Sequence, residues 1–229
     1  MSYSVAIIDA DILIYRFGFA SNNDSEDVAI RTMAHFLEHL IMIDLPLCTQ
    51  WSLHLTGKNN FRHDVAVTAP YKGNRKSEKP KHYHLLREYL VYAWDAVIWD
   101  GFEADDAIAI EATELNGEGV IVSLDKDLDQ VVGWHYNFVK DNLYYINQQT
   151  ASFNFYKQFL TGDAVDNIKG VHGIGPKKAE KLLEGKTDAE MWEVIVEHLG
   201  YERAIENGHL LYMLRSTQDT FTPPTEVIT

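Results

Sequence analysis

Four short apolar runs, at residues 5–8, 51–55, 96–99 and 120–124, are separated by longer stretches of helical periodicity, and this alternation constrains the fold more than any other feature. Runs so short read as strands buried on both faces of a sheet. Between them, segment 27–44 carries Val28, Phe36, Leu37, Leu40 and Ile41, and segment 81–95 carries Leu85, Leu86, Tyr89, Leu90 and Trp94. Segment 104–115 places Ala104, Ile108, Ala112 and Leu115 along one helical face. Strands alternating with helices imply an α/β fold, a parallel central sheet covered on both sides. A strand pair at 135–140 and 143–146 is expected to end this part. Helices are then predicted at 153–160, 177–183, 189–199 and 210–214. The change of pattern sets a boundary near Gln149, giving an α/β core over 1–149 and a helical region over 150–229. No flexible linker separates the two, so they are expected to pack together.

With 229 residues, 46% of them hydrophobic, the chain can bury a sizeable core. Its one cysteine, Cys48, has no partner for an internal disulfide. No leader-like pattern and no apolar run of about 18 residues occurs, so a cytoplasmic protein with no membrane contact is expected, and a monomer. The net charge of −14 argues alone against a polyanion partner. Its distribution reverses that inference. Residues 71–87 hold Lys72, Arg75, Lys76, Lys79, Lys81 and Arg87 against Glu78, and residues 169–186 hold five lysines against two glutamates. The rest of the chain therefore carries −22, and much of it is clustered.

Asp9 directly follows the first apolar run, and Asp125 and Asp127 follow the fourth. Glu103, Asp105 and Asp106 follow the third, at the start of a predicted helix. Ligands of open parallel sheets bind in the crevice at the carboxyl ends of the strands, so these acids should converge. Acids in a first helical turn are favoured by the dipole, and Asp105 and Asp106 taken alone would read as caps. Three strand ends terminating in acids argue for more. At an effective dielectric of about 20, each carboxylate pair at roughly 4 Å costs about 4 kcal/mol. Either some protonate or cations fill the gaps. Hard divalent cations fit, because no Cys or His set with zinc spacing accompanies the acids. Two such ions suit phosphodiester hydrolysis, one activating water and the other stabilising the leaving oxygen.

The most specific stretch is 161–179. Gly173-Ile174-Gly175-Pro176 opens a helix bearing Lys177 and Lys178, a turn whose backbone N–H groups can approach phosphates closely. Lysines at a helix start are compensated by phosphate, and such contacts read backbone rather than base sequence. Asp163 and Asp166 lie three apart just upstream.

Taken together, five motifs resemble the 5' nuclease family of flap endonucleases and 5'-3' exonucleases, especially its stand-alone bacteriophage members. In order they are Ile8-Asp9, Tyr71-Lys72-Gly73-Asn74-Arg75, Glu103-Ala104-Asp105-Asp106, Ser123-Leu124-Asp125-Lys126-Asp127, and Gly162-Asp163 through Lys178. The resemblance implies a PIN-like core carrying a helix-three-turn-helix element that binds duplex DNA. It implies two Mg2+ ions, with Mn2+ able to substitute, and a K+ ion at the hairpin. Asp9, Glu103, Asp105 and Asp106 would serve one metal site and Asp125, Asp127, Asp163 and Asp166 the other, some through water. Lys72 and Arg75 would sit at the base of an arch near 71–87 and contact the scissile phosphate. Tyr71, Gly173, Gly175, Lys177 and Lys178 would contact DNA. The implied substrate is DNA with a 5' end, nick or flap, or an RNA–DNA hybrid, in DNA replication within a bacterial host cytoplasm.

Two features depart from that pattern. Many members have an acid after the second strand, where this chain reads Leu55-Thr56-Gly57-Lys58, with Asp64 the nearest acid downstream. The interval from Arg75 to Glu103 is also short, and Pro80 interrupts helix continuity within it. A noncatalytic junction-binding protein and a PIN-type ribonuclease are the alternative readings. Gly57-Lys58 lacks the upstream glycine of a P-loop and no Gly-x-Ser-x-Gly elbow occurs, which excludes ATPase and acyl-transfer chemistry.

Overall fold

The computed structural model describes residues 3–75 and 78–224, so Lys76 of the basic segment lies outside the described residues. Strands β1 (Val5–Asp9), β2 (Gln50–Thr56), β3 (Val97–Trp99), β4 (Gly119–Val122), β5 (Gly133–Asn137) and β6 (Asn142–Ile146) form one sheet in the order β3-β2-β1-β4-β5-β6. All neighbours are parallel except β5 and β6. The chain runs outward from β1 to β2 and β3, then returns to lay β4 on the other side of β1. The order reverses between β1 and β4, which opens a crevice at their carboxyl ends.

Successive residues of β1 point to opposite faces, and both faces are covered. Ala6 and Ile8 pack with Leu13, Ile14, Met33, Leu37 and Leu90, from helices α1 (Ala10–Ala20), α2 (Glu26–His39) and, beyond the single-turn α3 (Arg62–Val65), α4 (Tyr83–Trp94). Val5 and Ile7 pack with Ile108, Ala109 and Ala112 of α5 (Ala104–Glu114). Each fully buried Leu or Ile contributes on the order of 1.5–3 kcal/mol, so these layers hold the sheet edge rigid beneath the acids.

Helix α1 is not among the predicted elements. Its sequence mixes Ile12, Tyr15, Phe17 and Phe19 with Leu13 and Ile14 and includes Gly18, which blurs the helical period. It starts where it does because Asp9 Oδ1 accepts the Ile12 N–H at 3.1 Å, capping the helix.

Helices α6 (Gln148–Thr161), α7 (Pro176–Leu183), α8 (Asp188–Leu199) and α9 (Tyr201–Leu211) surround a separate cluster with Phe159, Leu160, Leu183, Ile195 and Leu211 buried. Strands β7 (Gly162–Asp163) and β8 (Ile168–Lys169) make a two-stranded ribbon between α6 and α7. Gly162 has φ +69°, and a Cβ there would stand 2.3 Å from the Gly170 amide nitrogen, so only glycine lets the ribbon close. The helix predicted at 210–214 is not present. Helix α9 ends at Leu211, and the chain runs extended through Tyr212, with φ −70° and ψ 127°. The apolar run there serves two cores instead of one helical face: Leu210 and Leu211 enter the helical cluster and Met213 reaches the cluster under the sheet. None of the described helices is long and apolar enough to cross a membrane.

Candidate functional site

At the switch point, Asp9 ends β1 and is 4% exposed. Its second oxygen accepts the Ser123 hydroxyl at 2.8 Å, and Ser123 Oγ in turn accepts the Asp125 N–H at 3.0 Å. The turn after β4 is thereby tied to the end of β1. Asp125 Oδ1 accepts the Asp127 N–H at 2.8 Å, and Asp127 accepts from the Gln158 carboxamide of α6.

The start of α5 supplies Glu103, Asp105 and Asp106. Glu103 accepts from Lys72 and from the Tyr71 hydroxyl, the latter at 2.9 Å. The turn between β7 and β8 brings Asp163 and Asp166 to the same place. Asp163 Oδ1 accepts the N–H groups of Val165 and Asp166 at 2.7 and 3.2 Å, which shapes the turn. Asp166 accepts from Arg75 at 2.6 Å and from Tyr71 at 2.7 Å, and lies 3.6 Å from Lys72. The Tyr71 hydroxyl has one proton and faces two carboxylates, so it donates to only one of them at a time.

Seven of the eight predicted acids line two adjoining cavities of about 520 and 530 Å³, which share Lys72, Arg75, Glu103, Asp105 and Asp125. The eighth, Asp106, does not. It is fully buried, with Arg62 Nη1 and Nη2 donating to it at 2.5 and 2.8 Å, and it also accepts the N–H groups of Glu103 and Leu214 at 3.3 and 3.4 Å. Its lone pairs are taken, which corrects its expected place among metal ligands: Asp106 fixes the start of α5. Tyr71 is likewise corrected. Its ring is packed in the helical cluster at 4% exposure, so it is not an exposed arch residue, and only its edge reaches the crevice. Asp64 is exposed and lines neither cavity.

Proximity and burial raise the acids. Burial, then the charge of Asp11, pushes Asp9 up to about 7. Burial, then the charges of Asp125 and Asp163, pushes Asp127 up to about 8. Asp105 is raised well above the carboxylate range by burial and by Asp9, and burial raises Asp125. Such groups want protons or cations. Among the described residues no three His, Cys, Asp or Glu side chains stand ready as a coordinating set, and Lys72 and Arg75 are paired with Glu103 and Asp166. The donors are nonetheless all oxygen and in excess of the cations present, a set that suits hard divalent ions.

The hairpin leads away from this crevice into α7. Gly175 is the residue before the helix, with Pro176 at its first position, and Gly173 takes φ +77°. Both glycines are exposed, with open space where a Cβ would be, and Lys177 and Lys178 are exposed beside them. No acid occupies the first turn of α7.

Described parts of the basic segment fold back on the core. The Lys81 N–H donates to Asn22 at 2.9 Å and its ammonium to the Asp24 carbonyl at 3.2 Å, while Arg87 belongs to α4. Sequence reasoning missed Arg62, Gln158 and Asp11. Arg62 and Gln158 carry no local signal, but Asp11, two residues from Asp9, could have been found.

A resolvase-like α/β domain with an acidic crevice at its switch point is the class this fold and site define. The profile described as 5'-3' exonuclease, N-terminal resolvase-like domain, matches residues 4–158, and the chain belongs to that family. DNA polymerase I of Bacillus caldotenax is 32% identical over 208 residues, covering 80% of this chain and 23% of that protein. The 5'-3' exonuclease of Buchnera aphidicola subsp. Schizaphis graminum is 28% identical over 204 residues, covering 79% of this chain and 69% of the other. The chain thus spans about a quarter of the length of the DNA polymerase I relatives it matches. In fold it is similar to bacteriophage T5 flap endonuclease in complex with DNA and metal ions, with TM-score 0.65, 19% identity and 89% and 87% of the two chains covered. The catalytic core of Rad2 in complex with DNA substrate aligns at TM-score 0.51 and 15% identity, over 80% of this chain and 61% of that one.

Proposed function

We propose that the chain is a divalent-metal-dependent 5' nuclease that hydrolyses phosphodiester bonds at or near the 5' ends of DNA, as exonuclease or flap endonuclease. The observation that carries this reading is the convergence of seven acids from β1, β4, α5 and the β7–β8 turn on one crevice, with several of them raised in pKa. Asp9, Glu103 and Asp105 would hold one ion, and Asp125, Asp127, Asp163 and Asp166 a second. Mg2+ is the proposed metal, with Mn2+ able to replace it. Such ions supply positive charge to phosphate oxygens and lower the pKa of attacking water.

The chain's own cations complete the site. Lys72 and Arg75 are held over the crevice by Glu103 and Asp166, where a scissile phosphate would draw them into contact. Gly173 and Gly175 present open backbone, and Lys177 and Lys178 add charge, so the hairpin would grip a duplex by its phosphates. A K+ ion at the hairpin, action on RNA–DNA hybrids in replication, and a monomeric state belong to the same proposal. The family of the DNA polymerase I and exonuclease relatives supports it.

The test is cleavage of a 5'-labelled flap, a nicked duplex and single-stranded RNA, with and without Mg2+, by the wild type, Asp125→Asn and Lys72→Ala. Mg2+-dependent cutting of the DNA substrates, lost in both variants, is expected. DNA bound but left whole at every Mg2+ concentration would make the chain a junction-binding protein, and preference for the RNA would make it a ribonuclease.

A further inference from the structure

Each strand next to the crevice delivers an acid, save one. Strand β1 ends in Asp9, β3 leads to Glu103 and Asp105, and β4 leads to Asp125, but β2 ends in Thr56 and continues into Gly57-Lys58. Thr56 nonetheless stands at the same edge. Strand β2 pairs with β1 so that His54 faces Asp9, two residues before Thr56, and the Thr56 hydroxyl accepts the Ala104 N–H of α5 at 2.9 Å.

A carboxylate does reach that position, from another element. Asp11, in the first turn of α1, extends across to β2, and its Oδ2 accepts the Thr56 N–H at 2.9 Å. It lines the cavity that also holds Asp9, Glu103, Asp105 and Asp125. One cation faces it: Arg87 Nη1 lies 3.5 Å from Oδ1, while Arg87 Nη2 donates to the Thr56 carbonyl at 2.7 Å. Arg87 is thus shared with the Thr56 carbonyl, and Asp11 lines the cavity while Arg87 does not.

We propose that Asp11 is a further ligand residue for a divalent ion at Asp9, Glu103 and Asp105, direct or through water, supplying from α1 the carboxylate that the end of β2 lacks. This rests on the metal-dependent reading above. The rival role for Asp11 is purely mechanical, tethering β2 to α1 through Thr56. Asparagine separates the two, because its carbonyl oxygen still accepts the Thr56 N–H while the charge is gone.

The test is calorimetric titration of the DNA-free protein with Mn2+ alone, alongside thermal unfolding in chelator. Asp11→Asn is expected to unfold like the wild type in chelator and to bind one Mn2+ about tenfold to a hundredfold more weakly, the other binding event being unchanged. Adding Thr56→Asp to that variant should recover the affinity. Arg87→Met, which leaves Asp11 in place without its cation, should bind Mn2+ more tightly, an independent reading should Asp11→Asn fold poorly. Titration curves for Asp11→Asn or Arg87→Met that superimpose on the wild type would overturn the assignment while leaving the nuclease reading intact. A wild type that takes up no Mn2+ would overturn both.

Discussion

Arg62 and Asp106 meet fork to fork in the interior, their side chains 2% and 0% exposed and their contacts 2.5 and 2.8 Å long. Arg62 also donates to the carbonyls of Leu210 and Tyr212, both at 2.9 Å, so one guanidinium joins α3, α5 and the end of α9. Burial opposes its charge, and Asp106 more than offsets that, leaving it firmly protonated. Removing one partner strands the other as a buried charge. Asp106→Asn is therefore expected to lower unfolding free energy by about 3–5 kcal/mol, read by urea denaturation, with Mg2+ failing to restore it.

Asp125 should behave in the opposite way. Desolvation by its surroundings, with the charges of Asp166 and Asp163, raises it, yet its side chain is exposed, so water screens most of the cost of its charge when no ion is bound. Asp125→Asn should leave metal-free stability close to that of the wild type, since water screens an exposed carboxylate, while abolishing Mg2+-dependent cleavage. Melting in chelator beside the cleavage assay checks both. Loss of stability in Asp125→Asn would show that the carboxylate is structural, as Asp106 is.

The contrast between those acids shows what the sequence could carry. Asp9 and Asp125 were legible because each ends an apolar run, and the carboxyl edge of a parallel sheet is where such residues meet. Asp105 and Asp106 are adjacent in the first turn of one helix, and no local pattern says which faces the crevice and which faces Arg62. Arg62 sits in a polar stretch that reads as surface, and its burial depends on a contact with α9, 148 positions away. Tyr71 heads a basic motif that suggests an exposed arch, yet its ring is claimed by the helical cluster. Long-range packing decided these cases, and local periodicity does not encode it.

The raised acids set the pH response of the metal-free protein. Asp9 is raised from 3.8 to about 7 and Asp127 from 3.8 to about 8, so between those limits the folded state holds protons that the unfolded chain has released. Stability must then fall as pH rises through that window, and level off below it where both states are protonated. Divalent ions need the ionised acids, so their stabilisation grows as pH rises. Melting temperatures between pH 5 and 8 should decline in chelator and decline less, or rise, with Mg2+. A flat chelator profile would remove the case for raised carboxylates.

Lys177 and Lys178 lie at the wrong end of α7 for the helix dipole, exposed and without an acid in the first turn. Replacing both by Ala should leave folding intact, weaken duplex binding and flatten the dependence of log affinity on log salt by about 0.9 per lost phosphate contact. Fluorescence anisotropy with a labelled duplex from 50 to 200 mM salt, about the range over which such contacts weaken markedly, reads the slope. An unchanged slope would move the duplex to another surface.

Gln158 belongs to a hydrogen-bond relay whose direction is fixed by chemistry. The Leu211 carbonyl can only accept, so the Gln130 carboxamide turns its nitrogen toward it, at 3.0 Å, and the same nitrogen donates to Gln158 Oε1 at 2.7 Å. Gln158 must then present its own NH2 group to Asp127. Asp127 is thereby held by a neutral donor that α6 and the end of α9 keep in one orientation. Gln158→Leu removes the donor and should raise the Mg2+ concentration needed for half-maximal cleavage about tenfold or more, the size of effect expected for a group that orients a ligand. Gln158→Glu is nearly isosteric but sets a second carboxylate against Asp127, so it should be the more damaging of the two. If Glu were tolerated better than Leu, the contact would be filling space and not orienting Asp127.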